Sequence, residues 1–278
     1  MNVFDQMLAR YEIRTNDDYI NAQHEVMQQI TLAGLYRGGF FNRAAFYGGT
    51  CLYIFYGLRR FSEDMDFSLL QPDRNFELED YFEAIKIEFK ALGRDIVINK
   101  KEKKIRTNVE SAFLKDDTAI YNLQFRTEHQ IKIKIEVDID PPLGFTTEPK
   151  FLLLPFSFMV RCFSLPDLYA GKIHALLFRS WKNRVKGRDW YDFEWYVRNN
   201  TVLNFGHLSQ RTKQFKSLPE VELTQNNLIP LIKEKISKFN LEMIKSDIRP
   251  FIENPAELDI WSQAYFSNLA ERIQFKGD

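Results

Sequence analysis

The chain is short of several things. Its 278 residues include only two cysteines, Cys51 and Cys162, each in an apolar stretch. That is too few for a disulfide framework, and it reads as reduced, buried thiols in a cytoplasmic protein. Net charge is missing as well: 38 Lys and Arg balance 38 Asp and Glu. No global field draws the chain to nucleic acid, so any such binding has to come from a local patch. The longest apolar run, Phe151 to Val160, is interrupted by Pro155, so no membrane span is expected. Met1 to Asp5 carries no basic region leading into an apolar stretch, and no signal peptide is expected. The four histidines, His24, His129, His174 and His207, stand at no metal-ligand spacing with each other or with the cysteines. There is no Ser-His-Asp order, no Walker-type loop and no internal repeat.

What is present is a globular composition, 45% hydrophobic and 15% aromatic, with length for one large domain or two modest ones. Helical spacing runs from Asp17 to Arg37 and stops at Gly38-Gly39. A short strand is expected over Ala44 to Tyr47, then a turn, then a helix capped by Thr50. A strand over Asp66 to Leu70 and a helix over Glu77 to Leu92 follow. Strand-like runs cover Ile96 to Asn99, Val109 to Leu114, Ala119 to Arg126, Ile131 to Ile139 and Phe151 to Cys162. Ser164-Leu165-Pro166-Asp167 opens a helix to about Trp181, a second helix spans Asp189 to Arg198, and from Val202 the pattern is helical throughout. The expected architecture is α/β: a core with a small mixed sheet over residues 1–163, then a helical half over residues 164–278.

The most informative stretch is Tyr47-Gly48-Gly49-Thr50, followed by Arg60-Phe61-Ser62-Glu63-Asp64-Met65-Asp66-Phe67. A glycine turn at a helix start lets backbone N–H groups approach a phosphate. Asp64 and Asp66 alternate into a strand, and strand residues i and i+2 share a face, so both carboxylates can serve one cation. Aspartate is a poor strand former, and a solvated face explains such a pair less well than a metal does. In Ile131 to Asp140 the apolar residues alternate with Lys132, Lys134, Glu136, Asp138 and Asp140. Either Glu136 or Asp138 could complete the carboxylate set and act as general base. Arg179 to Arg188 gathers Arg179, Lys182, Arg184, Lys186 and Arg188 around Trp181, the best nucleic-acid candidate in a neutral chain. Lys100 to Arg106 is a second basic run, read as a solvated hairpin edge.

Gly-Gly-Thr followed by Arg-x-Ser-x-Asp-x-Asp-Phe resembles the first motif of the AbiEii/AbiGii-type nucleotidyltransferase toxins, in the DNA polymerase beta-like superfamily. Lys172 with Arg179, and Arg188-Asp189-Trp190-Tyr191-Asp192, resemble that family's later blocks in the same order. The resemblance covers about Asp17 to Arg198 and implies an NTP-using, Mg²⁺- or Mn²⁺-dependent transferase with its site in a cleft between the two halves. By that resemblance Asp64, Asp66 and Glu136 or Asp138 hold the metal, and Gly48, Gly49 and Thr50 cradle the triphosphate. Arg179 assists at the phosphates, Ser62 either assists there or bonds the turn, and Arg60 either steers a phosphate or is a surface charge; Lys172 neutralises developing charge, and Asp189 orients Lys172 or a substrate group. Asp192 is read as structural. The matching serine of some members is a target of inhibitory phosphorylation, which places Ser62 as a regulatory candidate. The implied acceptor is RNA, with the tRNA 3′ end favoured, and the implied partner is a cognate antitoxin. A small-molecule nucleotidyltransferase and a non-catalytic binding module are the competing readings.

Overall fold

The computed structural model describes residues 2–100, 118–125, 131–179, 186–215 and 222–276. The expected strand at Val109 to Leu114, His129, the basic run beyond Lys100, and Trp181, Lys182 and Arg184 lie outside the described residues. The chain forms two compact units. One comprises Met1–Cys51, Glu63–Pro141 and Thr147–Cys162; the other comprises Leu52–Ser62, Pro142–Thr146 and Phe163–Asp278. Leu52–Ser62 and Pro142–Thr146, expected in the first half, therefore belong to the second unit.

The first unit opens with a short helix α1 (Val3–Leu8) that sequence periodicity did not reveal, and with α2 (Asn16–Arg37). Thr15 and Asp18 start α2 with a reciprocal capping box. After β1 (Ala44–Tyr47) come α3 (Gly48–Tyr56), which runs on into the second unit, and β2 (Met65–Leu69). The expected helix at Glu77 to Leu92 is a 3₁₀ turn, Leu78–Tyr81, leading into α4 (Phe82–Ala91), which packs on α2. The strands β3 (Ile96–Lys100), β4 (Thr118–Phe125), β5 (Lys132–Asp138), β6 (Thr147–Leu152) and β7 (Phe158–Phe163) follow. The single strand expected over Phe151 to Cys162 is two strands: Pro155 has no N–H to give a ladder, and the chain leaves the sheet around it.

These strands form one mixed seven-stranded sheet in the order β3-β4-β5-β2-β1-β7-β6. β2 is antiparallel to β1 and parallel to β5, while β4 is antiparallel to both β3 and β5. Ile133, Ile135 and Val137 on β5 are buried, as the alternation required. Phe40, Phe67, Phe76 and Tyr81 fill the adjoining core with edge-to-face and stacked rings.

In the second unit, α5 (Leu165–Phe178) begins after Ser164 at the N-cap and packs on α6 (Gly187–Arg198). The Tyr169 and Tyr196 rings stack at 4.4 Å between these helices. The remaining helices are α7 (Phe205–Gln214), α8 (Gln225–Lys238), α9 (Leu241–Ile248) and α10 (Gln263–Ala270). This part is not helical throughout: β8 (Val202–Leu203) pairs in parallel with β9 (Gln274–Phe275). Asp167 is buried and ties the unit together, accepting from Thr146, Ser164 and Asn204.

Candidate active site

In the sheet unit, register decides which side chains meet. Asp66 on β2 pairs with Tyr47 on β1 and with Glu136 on β5. Directly paired residues share a face of the sheet, so the Asp66 and Glu136 carboxylates stand side by side. Asp138 is the partner of Ser68, one pleat repeat further along; it is buried, and its Oδ1 accepts the Asp140 N–H at 3.2 Å. Gly48 has φ +83°, and a Cβ there would collide with the Asp66 carboxylate. Glycine is thus required twice over, by conformation and by the closeness of the acid. The chain leading into β2 is pinned from two sides. The Thr50 hydroxyl donates to the Asp64 carbonyl, and Gln28 Nε2 donates to the Glu63 carbonyl at 2.9 Å. Because α3 begins at Gly48, Thr50 lies inside the first turn, buried, rather than capping the helix as expected.

Lys134 joins this group. Its ammonium pairs with the Glu136 carboxylate, and burial, which lowers its pKa, is outweighed by Glu136, Asp64 and Asp66, which hold it above the usual lysine value. The sequence placed Lys134 on the same strand face but gave it no part in the site; the i, i+2 spacing to Glu136 was the available signal.

Hard oxygen donors of this kind suit Mg²⁺ or Mn²⁺. Among the described residues no three His, Cys, Asp or Glu side chains form a ready cation cage. Mg²⁺ commonly completes its shell with substrate phosphates and water beside the carboxylates that hold it.

In the helical unit a second cluster forms around Lys172 on α5. Its Nζ lies 2.7 Å from Asp189 Oδ1 and 2.7 Å from Asp192 Oδ2, both on α6. Asp189 is the third residue of α6, and Lys186, not Asp189, is the N-cap; the Asp189 carboxylate is spent on Lys172. Asp192, read from the sequence as structural, sits in a buried ion-pair network. It is fully buried, and its two oxygens also receive Arg60 Nε at 2.5 Å and Arg60 Nη2 at 2.7 Å. Arg60, expected as a phosphate-steering or surface charge, is instead buried in this bidentate pair, with a further bond to the Phe61 carbonyl.

The charges explain one another. Burial alone would raise the Asp189 carboxyl, but Lys172, Arg179 and Lys186 bring it down to about 2. Asp192 is likewise held below the usual carboxylate range, as Arg60 and Lys172 outweigh burial. Burial, helped by Arg179, Lys172 and Arg188, lowers Lys186 to about 8. Arg179 itself is exposed just past the end of α5, and the Arg188 guanidinium lies 4.3 Å over the Phe251 ring. Ser62 is buried. His24 and His207 are core histidines, each with one ring nitrogen against a carbonyl, of Lys132 and Leu143 respectively.

No curated protein matches the chain. Among solved structures it is similar to MenT4, a nucleotidyltransferase toxin from Mycobacterium tuberculosis H37Rv, with TM-score 0.61 at 16% identity over 96% of this chain and 87% of that one. It also aligns with JHP933 from Helicobacter pylori, with TM-score 0.49 at 19% identity over 90% of each chain. At such identity the first of these speaks for the fold. The sequence itself matches the family model described as nucleotidyl transferase AbiEii toxin, type IV toxin–antitoxin system, over residues 30–272. Since that match takes in both charged clusters and most of the chain, the protein belongs to the AbiEii nucleotidyltransferase toxin family.

Proposed function

We propose that this nucleotidyltransferase moves a nucleoside monophosphate from an NTP to a hydroxyl of RNA, with the tRNA 3′ end as acceptor, in the cytoplasm. The acceptor oxygen attacks the α-phosphorus, the α–β phosphoanhydride bond breaks, and pyrophosphate leaves. The observation that carries this reading is the pairing of Asp66 with Glu136 beside Gly48, which sets two carboxylates against a glycine turn at a helix start. Asp64, Asp66 and Glu136 would hold a divalent cation, Mg²⁺ or Mn²⁺, whose chemistry is to neutralise phosphate charge and orient the nucleophile. Glu136 is favoured over Asp138 as the third acid because register puts it next to Asp66.

Gly48 and Gly49 offer backbone N–H groups to the triphosphate. Lys172, oriented by Asp189 and Asp192, supplies positive charge as negative charge shifts to the leaving group. Lys186 and Arg188, with Arg179, give a basic patch suited to an RNA backbone, which a small acceptor does not need. A cognate antitoxin is the expected protein partner.

The test is incubation with total RNA, Mg²⁺ and each α-³²P-labelled NTP in turn, with Asp64→Ala as control. A labelled tRNA-sized band that is lost in the variant is the expected result. Label on a small molecule instead would favour the antibiotic-modifying type of reaction, and no label with any NTP would remove the catalytic reading.

A further inference from the structure

Lys134 is a cation paired within the carboxylate face of the sheet unit. It lies two residues before Glu136 on β5, pairs with the Glu136 carboxylate, and has Asp64 and Asp66 as its next charged neighbours. About a third of its side chain is exposed, so it is not locked in place by packing. Three carboxylates on one face repel one another, and something must offset that repulsion whenever no divalent cation is bound.

We propose that Lys134 is the resident counterion of this carboxylate set and competes with the divalent cation for Glu136. The inference rests on the reading of Asp64, Asp66 and Glu136 as metal ligands. With Lys134 paired to Glu136, a cation entering alone meets a set whose third acid is already neutralised and a positive charge beside it. Binding of the cation by itself is therefore weak. An incoming triphosphate changes this balance: its oxygens complete the metal shell, and its negative charge gives the ammonium another partner when Glu136 turns to the metal. Lys134 thus ties metal retention to the presence of nucleotide without needing a moving segment.

The experiment is titration of the full chain with Mn²⁺ alone, free Mn²⁺ being read from its solution EPR signal, with no turnover involved. Lys134→Met should bind Mn²⁺ more tightly than wild type by about fivefold or more, since one positive charge and one ion pair are removed. Lys134→Arg, which keeps the charge, should stay near wild type. Adding a non-hydrolysable NTP analogue should tighten Mn²⁺ binding in wild type by a larger factor than in Lys134→Met. Thermal melting without metal shows that each variant folds. Equal Mn²⁺ affinity in wild type and Lys134→Met, both lost in Asp66→Asn, would overturn the counterion role and leave the metal ligands standing. No saturable binding in any of them, or binding unchanged by Asp66→Asn, would remove the metal reading and this inference with it.

Discussion

Arg60 and Asp192, 132 positions apart in sequence, form a fully buried bidentate ion pair. The same Asp192 reaches Lys172, so one carboxylate holds two cations, and the position of Lys172 depends on a residue outside its own helix pair. Removing one partner leaves an uncompensated buried charge. Arg60→Met should lower stability by about 3–5 kcal/mol, measured by urea unfolding. In Arg60→Met/Asp192→Leu the loss should be smaller than the sum of the two single losses. Additive losses would mean that the pair is not energetically coupled.

The two strand acids that the sequence left undecided separate by register. Glu136→Gln should cut nucleotide transfer by about 10²-fold or more, the range for a lost general base or metal ligand, with the fold intact by circular dichroism. Asp138→Asn should cost less activity, because Asp138 stands beside Ser68 and serves the Asp140 N–H. The reverse ranking in a labelled-NTP assay would reassign the third acid.

Gly48 and Gly57 both have positive φ, +83° and +77°, but only Gly48 meets another side chain. Gly57→Ala should therefore show backbone strain alone, about 1 kcal/mol, with transfer retained. Gly48→Ala adds displacement of the Asp66 carboxylate and should abolish transfer. The paired comparison, with stability and turnover measured on both, separates strain from damage to the carboxylate face.

Acidification should act in two stages. Burial brings His24 and His207 down to about 4, so the fold prefers their neutral forms. The unfolded chain takes up these protons first, and stability falls as pH drops from about 6.5 toward 4. Asp189 has its folded pKa lowered to about 2 and Asp192 is lowered as well; their contribution is complete above the ordinary carboxylate value of about 4 and is lost as pH falls toward 2. Urea unfolding at stepped pH should show both declines. His24→Gln/His207→Gln should flatten the first and leave the second.

Local patterns carried much of the architecture. The alternation in Ile131 to Asp140 marked β5 and its buried face, and Ser164 with Pro166 marked the start of α5. Gly38-Gly39 closed α2. The misses were non-local. β8 and β9 find each other across most of the helical unit, and two-residue strands carry no periodicity. Asp192 read as an ordinary helix acid because Arg60, its partner, lies in a distant segment. Lys134 was legible as a member of the polar face two residues from Glu136, but the pair itself is closed by side-chain rotamers, which spacing does not fix.

The separation of Arg60 from Asp192 also has a consequence in time. At roughly 5–20 residues per second of synthesis, Arg60 leaves the ribosome on the order of ten seconds before its only buried carboxylate partner among the described residues. Lys172 too is made before Asp189 and Asp192. A nascent chain can thus carry the carboxylates of the sheet unit before Asp189 and Asp192 exist to hold Lys172 in the helical unit. The charge cluster of the helical unit therefore closes only after translation has passed Asp192.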